Sequence, residues 1–216
     1  MTVRAAAVLS PSPVFHLPAF RPGMRIGLFG GSFDPAHDGH LRVSLEGLRV
    51  LHLDQVWWLV SPQNPLKANA PSNDLARRIA AAQVAARHPR IRVTAIEAEL
   101  GTTYSAETLA RLLPRLSGVA VVWMMGADNL ASFHRWRDWQ RIAAALPIAV
   151  FNRPGDTLRA LASPAAKALA RFRLDARDAR LLAATEPPAW VFLPSPHIDI
   201  SSTALRAFSP GPNLAS

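Results

Sequence analysis

Residues 25–40 read RIGLFGGSFDPAHDGH, and the prediction of the fold begins with them. The apolar run from Arg25 to Phe29 ends at two glycines and is predicted to be a buried strand. Leucines at helical spacing between Gly39 and Leu51 predict a helix directly after it. A strand that passes through a glycine-rich loop into a helix is the first half of a βαβ unit, so the stretch favours a parallel sheet.

The remaining sequence continues this alternation of strands and helices. Continuous apolar runs predict further strands at residues 55–60, 91–96, 119–125, 147–151 and 189–193. Capping residues and helical spacing predict helices at residues 72–88, 105–112, 139–146, 158–182 and 202–208, the fourth interrupted at Pro164. The pattern predicts an α/β fold, namely a Rossmann-like doubly wound parallel sheet with helices on both faces.

The length of 216 residues and the mass of 23.4 kDa suit a single domain. We expect that domain to span residues 24–208. Residues 1–23 contain four prolines and no helical or strand period, so they are predicted to form a loosely ordered tail. Residues 209–216 are predicted to be a frayed C-terminus.

The charge balance is strongly basic. There are 24 Lys and Arg residues against 15 Asp and Glu residues, which gives a net charge of +9. That excess favours anionic partners, either phosphorylated small molecules or nucleic acid. The arginines are scattered over predicted helices and no aromatic-rich RNA-binding motif is present, so nucleic acid is the weaker alternative.

The sequence contains no cysteine, which excludes a disulfide scaffold, a thiol nucleophile and a cysteine-ligated metal site. This composition is compatible with the reducing cytoplasm, where we expect the protein to work. No apolar stretch approaches the roughly 18–20 residues of a membrane helix, so no membrane partner is expected.

The loop between the first strand and the first helix is the first candidate site. Ligands of open α/β sheets bind beyond the carboxyl ends of the strands. Gly30 and Gly31 are predicted to let the backbone turn and approach a ligand closely. His37 and His40 are three residues apart, so both imidazoles can face one point at the helix start, where N–H groups favour an anion. The pattern suits a phosphate chain.

Two other interpretations of these histidines stay open. They can simply cap the helix at the end of a glycine-rich turn. They can also be metal ligands, but a zinc site needs three or four ligands and the other histidines show no supporting spacing.

A second candidate anion site lies near the C-terminus. Ser201, Ser202 and Thr203 precede a predicted helix, where hydroxyl and backbone N–H groups can hold phosphate. Arg206 lies one turn further along the same face and can supply a fixed cation. The alternative is an ordinary serine-capped helix.

Three segments together resemble one family. GSFDPAHDGH at residues 31–40 is similar to the H-x-G-H signature of a nucleotidyltransferase superfamily and, in its full form, to bacterial nicotinate-nucleotide adenylyltransferases. ISSTALR at residues 200–206 resembles the family's I-S-S-T-x-I-R. GADNL at residues 126–130, with the helical F-x-x-W that follows, resembles the family's segment after the fourth strand. By this resemblance, residues 24–208 are a nucleotidyltransferase domain.

The resemblance implies a set of residues for each substrate. The implied catalytic groups are His37, His40 and Arg206. The implied contacts to ATP are Gly30, Gly31, Ser32, Phe33, His37, Gly39, His40, Asp128, Ile200, Ser201, Ser202, Thr203 and Arg206. The implied contacts to the mononucleotide are Ser32, Phe33, Lys67, Ser105, Thr108 and Trp136. The indole of Trp136 is expected to stack on the pyridine ring, whereas Trp139 is assigned to the core.

Two segments depart from the family's pattern. YSAETL at residues 104–109 has serine and glutamate where the family's Y-T-x-D-T-L has threonine and aspartate, which leaves its contacts open. Leu66 stands where many members have a histidine before the lysine, here Lys67. Lys67 therefore has a second interpretation as a solvated loop lysine.

The resemblance implies transfer of the adenylyl group of ATP to nicotinate mononucleotide, with nicotinate adenine dinucleotide and pyrophosphate as products. Mg²⁺ is implied as the companion of ATP, and no tightly bound cofactor or metal site of the protein's own is expected. Nicotinamide mononucleotide or another phosphorylated acceptor is the alternative substrate. A basic nucleic-acid-binding protein and an inactive nucleotide-binding module are the alternative functions. The sequence predicts no oligomeric state.

Overall fold

The computed structural model describes residues 17–62, 75–152 and 157–194. Within these ranges, seven strands form one sheet in the order β3-β2-β1-β4-β5-β7-β6, and every neighbouring pair is parallel. The strands are β1 (Arg25–Gly31), β2 (Gln55–Val60), β3 (Ile91–Thr94), β4 (Ala120–Gly126), β5 (Ile148–Phe151), β6 (Arg173–Leu174) and β7 (Trp190–Leu193).

The helices connect the strands. The α-helices are α1 (Asp38–Val50), α2 (Leu75–Ala85), α3 (Ile96–Glu99), α4 (Ser105–Leu112), α5 (Ala127–Ser132), α6 (Trp139–Ala145), α7 (Thr157–Leu161) and α8 (Pro164–Ala168). Short 3₁₀ helices span Leu113–Arg115, Phe133–Arg135, Ala170–Phe172 and Ala176–Ala184. None of the helices in the described parts of the chain combines the length and the apolar character needed to cross a bilayer.

Side chains of the strands alternate between two core layers, one on each face of the sheet. In β4, Trp123 belongs to the layer that is covered by α4 to α8, and its neighbour Met124 belongs to the layer covered by α1, α2 and residues 176–184. Strands buried on both faces explain the continuous apolar runs of the sequence. The predicted doubly wound sheet with helices on both faces is confirmed.

The strand order reverses between β1 and β4. β1 pairs with β2 on one side and with β4 on the other, so the chain winds outward from β1 in both directions. In such sheets a crevice opens beyond the carboxyl ends of the two strands at the reversal, and ligands bind there. The loops after Gly31 and Gly126 therefore border the candidate site.

The long helix predicted over residues 158–182 is wrong. The segment is divided into short helices and into strand β6, which pairs with β7. Pro164 begins a new helix rather than interrupting an old one, because the Ser163 hydroxyl caps it by accepting from the N–H of Ala166 at 3.2 Å. Asp175 caps the 3₁₀ helix Ala176–Ala184 by accepting from the N–H of Arg177 at 2.8 Å. These two caps override the helical composition of the segment.

Part of the predicted N-terminal tail packs on the domain. Phe20 contacts Trp57 edge-to-face at 6.0 Å, and the N–H of Gly23 donates to the carbonyl oxygen of Gly118 at 2.7 Å. Residues 17–23 therefore lie against the sheet and its loops. Residues 1–16, the predicted helix at residues 202–208 and the predicted C-terminal end at residues 209–216 lie outside the described residues.

Candidate active site

The two glycines after the first apolar run belong to strand β1 and do not form the turn, so that part of the sequence interpretation is wrong. A Cβ on Gly30 would lie 2.9 Å from Cη2 of Trp123, so close packing between adjacent strands is what excludes a side chain. The chain turns two residues later, at Phe33, whose φ of 48° lies in the left-handed region. Residues 32–37, here called the histidine loop, then lead into α1.

His37 and His40 cap helix α1 reciprocally. Nδ1 of His37 accepts from the N–H of Gly39 at 3.0 Å, and Nδ1 of His40 accepts from the N–H of His37 at 3.2 Å. The two ring centroids are 4.0 Å apart, and the residues are 7% and 8% exposed. The arrangement is a capping box in which histidines replace the usual hydroxyl and carboxylate groups. The capping interpretation is therefore correct for the local structure.

The capping contacts also assign a tautomer to each ring. A ring nitrogen that accepts from a backbone N–H carries no proton, so the hydrogen-bond geometry assigns the proton of each neutral imidazole to Nε2. An Nε2–H group is a hydrogen-bond donor. The first turn of α1 thus combines two imidazole donors with the positive end of a helix dipole, which favours an anionic ligand.

The His40 ring packs against a cluster of buried aromatic side chains. The Phe33 ring is buried, lies 4.8 Å from the His40 ring and stacks on Trp58 at 4.9 Å. The indole N–H of Trp58 donates to the Ser44 hydroxyl at 2.7 Å, and that hydroxyl donates to the carbonyl oxygen of His40 at 2.8 Å. The Phe33 side chain thus supports His40, and the ligand contact predicted for Phe33 stays a prediction.

The buried Arg78 joins the histidine loop to the end of β2. Its Nη1 donates to the carbonyl oxygens of Ser32 and Ser61, each at 2.7 Å, and its Nη2 donates to that of Pro62 at 2.9 Å. The residue is only 5% exposed. Sequence reasoning counted it among the arginines scattered over predicted helices, since nothing in its sequence neighbourhood marks a buried charge.

Asp128 is brought to the same edge of the sheet. It lies in the first turn of α5, directly after β4, and its side chain is exposed. Because β4 neighbours β1, the carboxylate and the histidine loop border the same crevice. Its contact with the nucleotide stays a prediction.

Residues 104–108 comprise the N-cap and first turn of α4, and are here called the mononucleotide segment because the resemblance implies substrate contacts there. Ser105 is half-buried in the first turn. Thr108 is 1% exposed, and its hydroxyl is hydrogen-bonded to the Thr102 hydroxyl at 2.8 Å and to the carbonyl oxygen of Tyr104 at 3.3 Å. These bonds give Thr108 a role in shaping the segment, and its predicted contact with the substrate is not tested by them.

Trp136 lies beside the mononucleotide segment and is partly buried. Its ring meets Phe133 edge-on at 5.4 Å, and Phe133 meets Trp139 edge-on at 5.6 Å. The next residue, Arg137, lies 3.3 Å from the Glu107 carboxylate and its guanidinium is 4.7 Å from the centre of the Tyr104 ring. Arg137 thereby ties the Trp136 segment to the start of α4.

Glu97 is a buried carboxyl that sequence reasoning missed. It is 3% exposed and accepts a hydrogen bond from the Ser61 hydroxyl. Burial raises the pKa of Glu97 from 4.5 to about 7, and the hydrogen bond from Ser61 acts in the opposite direction. The sequence segment IEAE gives no sign that its first glutamate faces inward and its second faces solvent.

This shift predicts a pH-dependent difference in stability between the native protein and Glu97→Gln. In the unfolded chain the Glu97 carboxyl loses its proton around pH 4.5, whereas in the folded chain it keeps that proton to about pH 7. The carboxyl therefore lowers the free energy of unfolding as pH rises through that window, by about 3 kcal/mol. Urea unfolding at pH 4.5 and pH 8 should show Glu97→Gln gaining stability relative to the native protein at the higher pH. An equal difference at both pH values would contradict this assignment.

Six predicted residues lie outside the described residues, and their roles stay predictions: Lys67, Ile200, Ser201, Ser202, Thr203 and Arg206. Within the described ranges, no group of three or more His, Asp or Glu side chains is placed to hold a metal ion.

Comparison with known proteins assigns the family. A family model described as cytidylyltransferase-like matches residues 28–208. A protein of Ruegeria pomeroyi named "Probable nicotinate-nucleotide adenylyltransferase" is 53% identical over 190 residues, covering 88% of this chain and 89% of that one. Proteins of the same name from Cereibacter sphaeroides and Rhizobium meliloti are 56% and 52% identical and cover 85% and 87% of this chain, and 97% and 100% of their own.

The chain belongs to the nicotinate-nucleotide adenylyltransferase family. The resemblance drawn from the motifs is confirmed. Two solved structures of a Plasmodium falciparum nicotinic acid mononucleotide adenylyltransferase, one complexed with APC and one with NaAD, share the fold of this family member. Their TM-scores are 0.61 and 0.63 at 14% identity, and the match covers 86% of this chain and 83% of theirs.

Proposed function

We propose that this family member transfers the adenylyl group of ATP to nicotinate mononucleotide, releasing pyrophosphate. The observation that carries the proposal is the pair of adjacent imidazoles, His37 and His40, at the start of α1, beside the point where the strand order reverses. The family supports the proposal as well, because relatives that are 53% and 56% identical are named for this activity.

The chemistry needs little covalent help from the protein. A phosphate oxygen of the mononucleotide attacks the α-phosphorus of ATP, and the bond from that phosphorus to the oxygen bridging to the β-phosphorus breaks. The nucleophile is already anionic, so no general base is required, and catalysis consists of positioning and stabilisation of charge. We assign the stabilisation of the α-phosphate to His37 and His40, and that of the departing pyrophosphate to Arg206 with residues 201–203.

Mg²⁺ enters as part of the ATP substrate. It prefers hard oxygen ligands, which the phosphates supply.

We also propose a cytoplasmic location, which the cysteine-free sequence favours.

The fate of the phosphates tests the reaction directly. ATP labelled at the α-phosphorus should pass its label to nicotinate adenine dinucleotide, and ATP labelled at the γ-phosphorus should pass it to pyrophosphate. Label from the γ-phosphorus appearing in the mononucleotide product would mean phosphoryl transfer and would overturn the proposal. The protein heated past unfolding serves as the control.

Replacing Trp136 with alanine is expected to raise the KM for nicotinate mononucleotide by about 10- to 100-fold, because stacking on a flat base is worth about 1–3 kcal/mol. Trp136→Phe should recover most of that loss, since it keeps an aromatic face. The KM for ATP should stay within about threefold in both variants. Initial rates at saturating ATP measure the effect, and an unchanged KM in the alanine variant would remove Trp136 from the substrate site.

A further inference from the structure

Ser61 links the histidine loop to α3. Its N–H donates to the carbonyl oxygen of Gly31 at 2.9 Å, and its own carbonyl oxygen accepts from Arg78 at 2.7 Å. Its hydroxyl donates to the carboxyl of Glu97. Because Arg78 also binds the carbonyl oxygen of Ser32, Ser61 is fixed to the start of the histidine loop on one side and to α3 on the other.

Glu97 continues the connection towards the other substrate. Its backbone carbonyl oxygen accepts from the N–H of Thr102 at 3.0 Å. The Thr102 hydroxyl is hydrogen-bonded at 2.8 Å to that of Thr108, inside the mononucleotide segment. Glu97 is therefore connected to the histidine loop through its side chain, by Ser61, and to the mononucleotide segment through its backbone, by Thr102.

The burial of this carboxyl is unfavourable by itself. Glu97 is buried in the described structure, and a carboxyl removed from water is less stable there than an apolar side chain of similar volume. Arg78 at the other end of the connection is buried as well, and three backbone carbonyl oxygens receive its hydrogen bonds. Buried polar groups that satisfy one another fix one arrangement of the segments that they join.

We propose that Glu97 is a positioning residue that sets the distance between the histidine loop and the mononucleotide segment through Ser61 and Thr102, so that the two bound substrates meet in reacting geometry. This inference rests on the proposed function, because the two segments are its ATP and mononucleotide sites. The role does not require Glu97 to contact either substrate, because its effect is transmitted through backbone position.

Three variants test the role. Glu97→Met fills the same space without an acceptor for Ser61, Glu97→Gln keeps an acceptor, and Glu99→Gln changes an exposed carboxyl of the same short helix. Misplacing reacting groups by about 1 Å can cost about 10²-fold in rate. We expect Glu97→Met to lower kcat by about 10- to 100-fold, with smaller changes in both KM values, and the two glutamine variants to stay within about threefold of the native protein.

Two results would overturn the role. The first is a folded Glu97→Met protein with native kcat. The second is a loss of kcat in Glu97→Gln as large as in Glu97→Met, since a positioning role through Ser61 requires rescue by the retained acceptor. If Glu97→Met does not fold, Ser61→Ala removes the same hydrogen bond from its other end, and its kcat decides the question by the same criterion.

Amide hydrogen exchange separates this inference from the proposed function. In Glu97→Met or Ser61→Ala, the amides of residues 104–108 should exchange at least about fivefold faster than in the native protein, and those of the distant strand β7 should not change. Glu97→Gln should exchange as the native protein does. Native protein that makes no dinucleotide would overturn the proposed function, and with it the substrates named here, but not the connection between the segments, whereas unchanged exchange at residues 104–108 would overturn the positioning role alone.

Discussion

Replacing His40 with alanine is expected to lower kcat by about 10²–10⁴-fold, because the change removes a donor that stabilises charge developing on the transferred phosphate. The KM values should change much less, since the helix terminus and the other contacts still bind the phosphates. The ring is held by contact with Phe33 and by the N–H of His37, and the Ser44 hydroxyl fixes the backbone carbonyl of His40, so the imidazole is oriented before substrate arrives.

The His40 variant needs a control for folding. Alanine also removes the acceptor for the N–H of His37, which should cost about 1 kcal/mol of stability. Circular dichroism and the midpoint of thermal unfolding show whether the fold survives. His52→Asn serves as the matched change, because His52 is exposed, has a φ of 52° that asparagine tolerates, and lies beyond the opposite end of α1 from the histidine loop. A folded His40→Ala protein with near-native kcat would refute the role given to His40.

Replacing His37 with asparagine separates capping from catalysis. The asparagine side-chain oxygen can accept from the N–H of Gly39 as Nδ1 of His37 does, and asparagine is among the best N-cap residues. The free energy of unfolding should therefore change by less than about 0.5 kcal/mol. The imidazole donor is lost, so we expect kcat to fall by about 10²–10³-fold.

The same variant can contradict the assignment cleanly. Stability and kcat that both stay at the native level would mean that His37 is only a helix cap. A fall in kcat that follows a fall in stability would point to a damaged helix start rather than a missing donor. Urea unfolding and initial rates on one preparation give both numbers.

Much of the fold could be predicted because the strands are buried on both faces. A short, continuous apolar run such as residues 55–60 is typical of a strand that is buried on both faces of a parallel sheet. The structure gives that strand the predicted bounds. Helix α4 ends at Leu112 as predicted, whereas Ser105, which the sequence suggested as its capping residue, is the first residue of the helix and Tyr104 is the N-cap. The helix predicted over residues 158–182 failed because alanine and leucine content favours helix, whereas the caps Ser163 and Asp175 act locally and against it.

The sequence predicted the histidines of the site, but it did not predict the buried residues that hold the site in place. The spacing of His37 and His40 shows that two imidazoles share one helix turn, and a sequence pattern is enough for that. Their tautomers depend on which nitrogen meets a backbone N–H, and only coordinates assign that. Arg78 and Glu97 were missed because a buried charge is defined by contacts distant in sequence, such as the 46 residues between Arg78 and Ser32.

The glycines show the opposite failure. Gly30 was assigned to a turn because glycine allows unusual backbone angles, yet it lies in an extended strand and makes room for Trp123. The turn that the sequence requires is made by Phe33, whose side chain is buried. A motif residue can thus be required by packing next to the site rather than by the ligand.

Release of pyrophosphate from Mg-ATP, measured side by side with nicotinate mononucleotide and with nicotinamide mononucleotide, tests both the reaction and its acceptor. We expect turnover with the acid and little or none with the amide, with nicotinate adenine dinucleotide formed in equal amount to pyrophosphate. Turnover with the amide alone would contradict the assigned acceptor, and turnover with neither would contradict the assigned reaction.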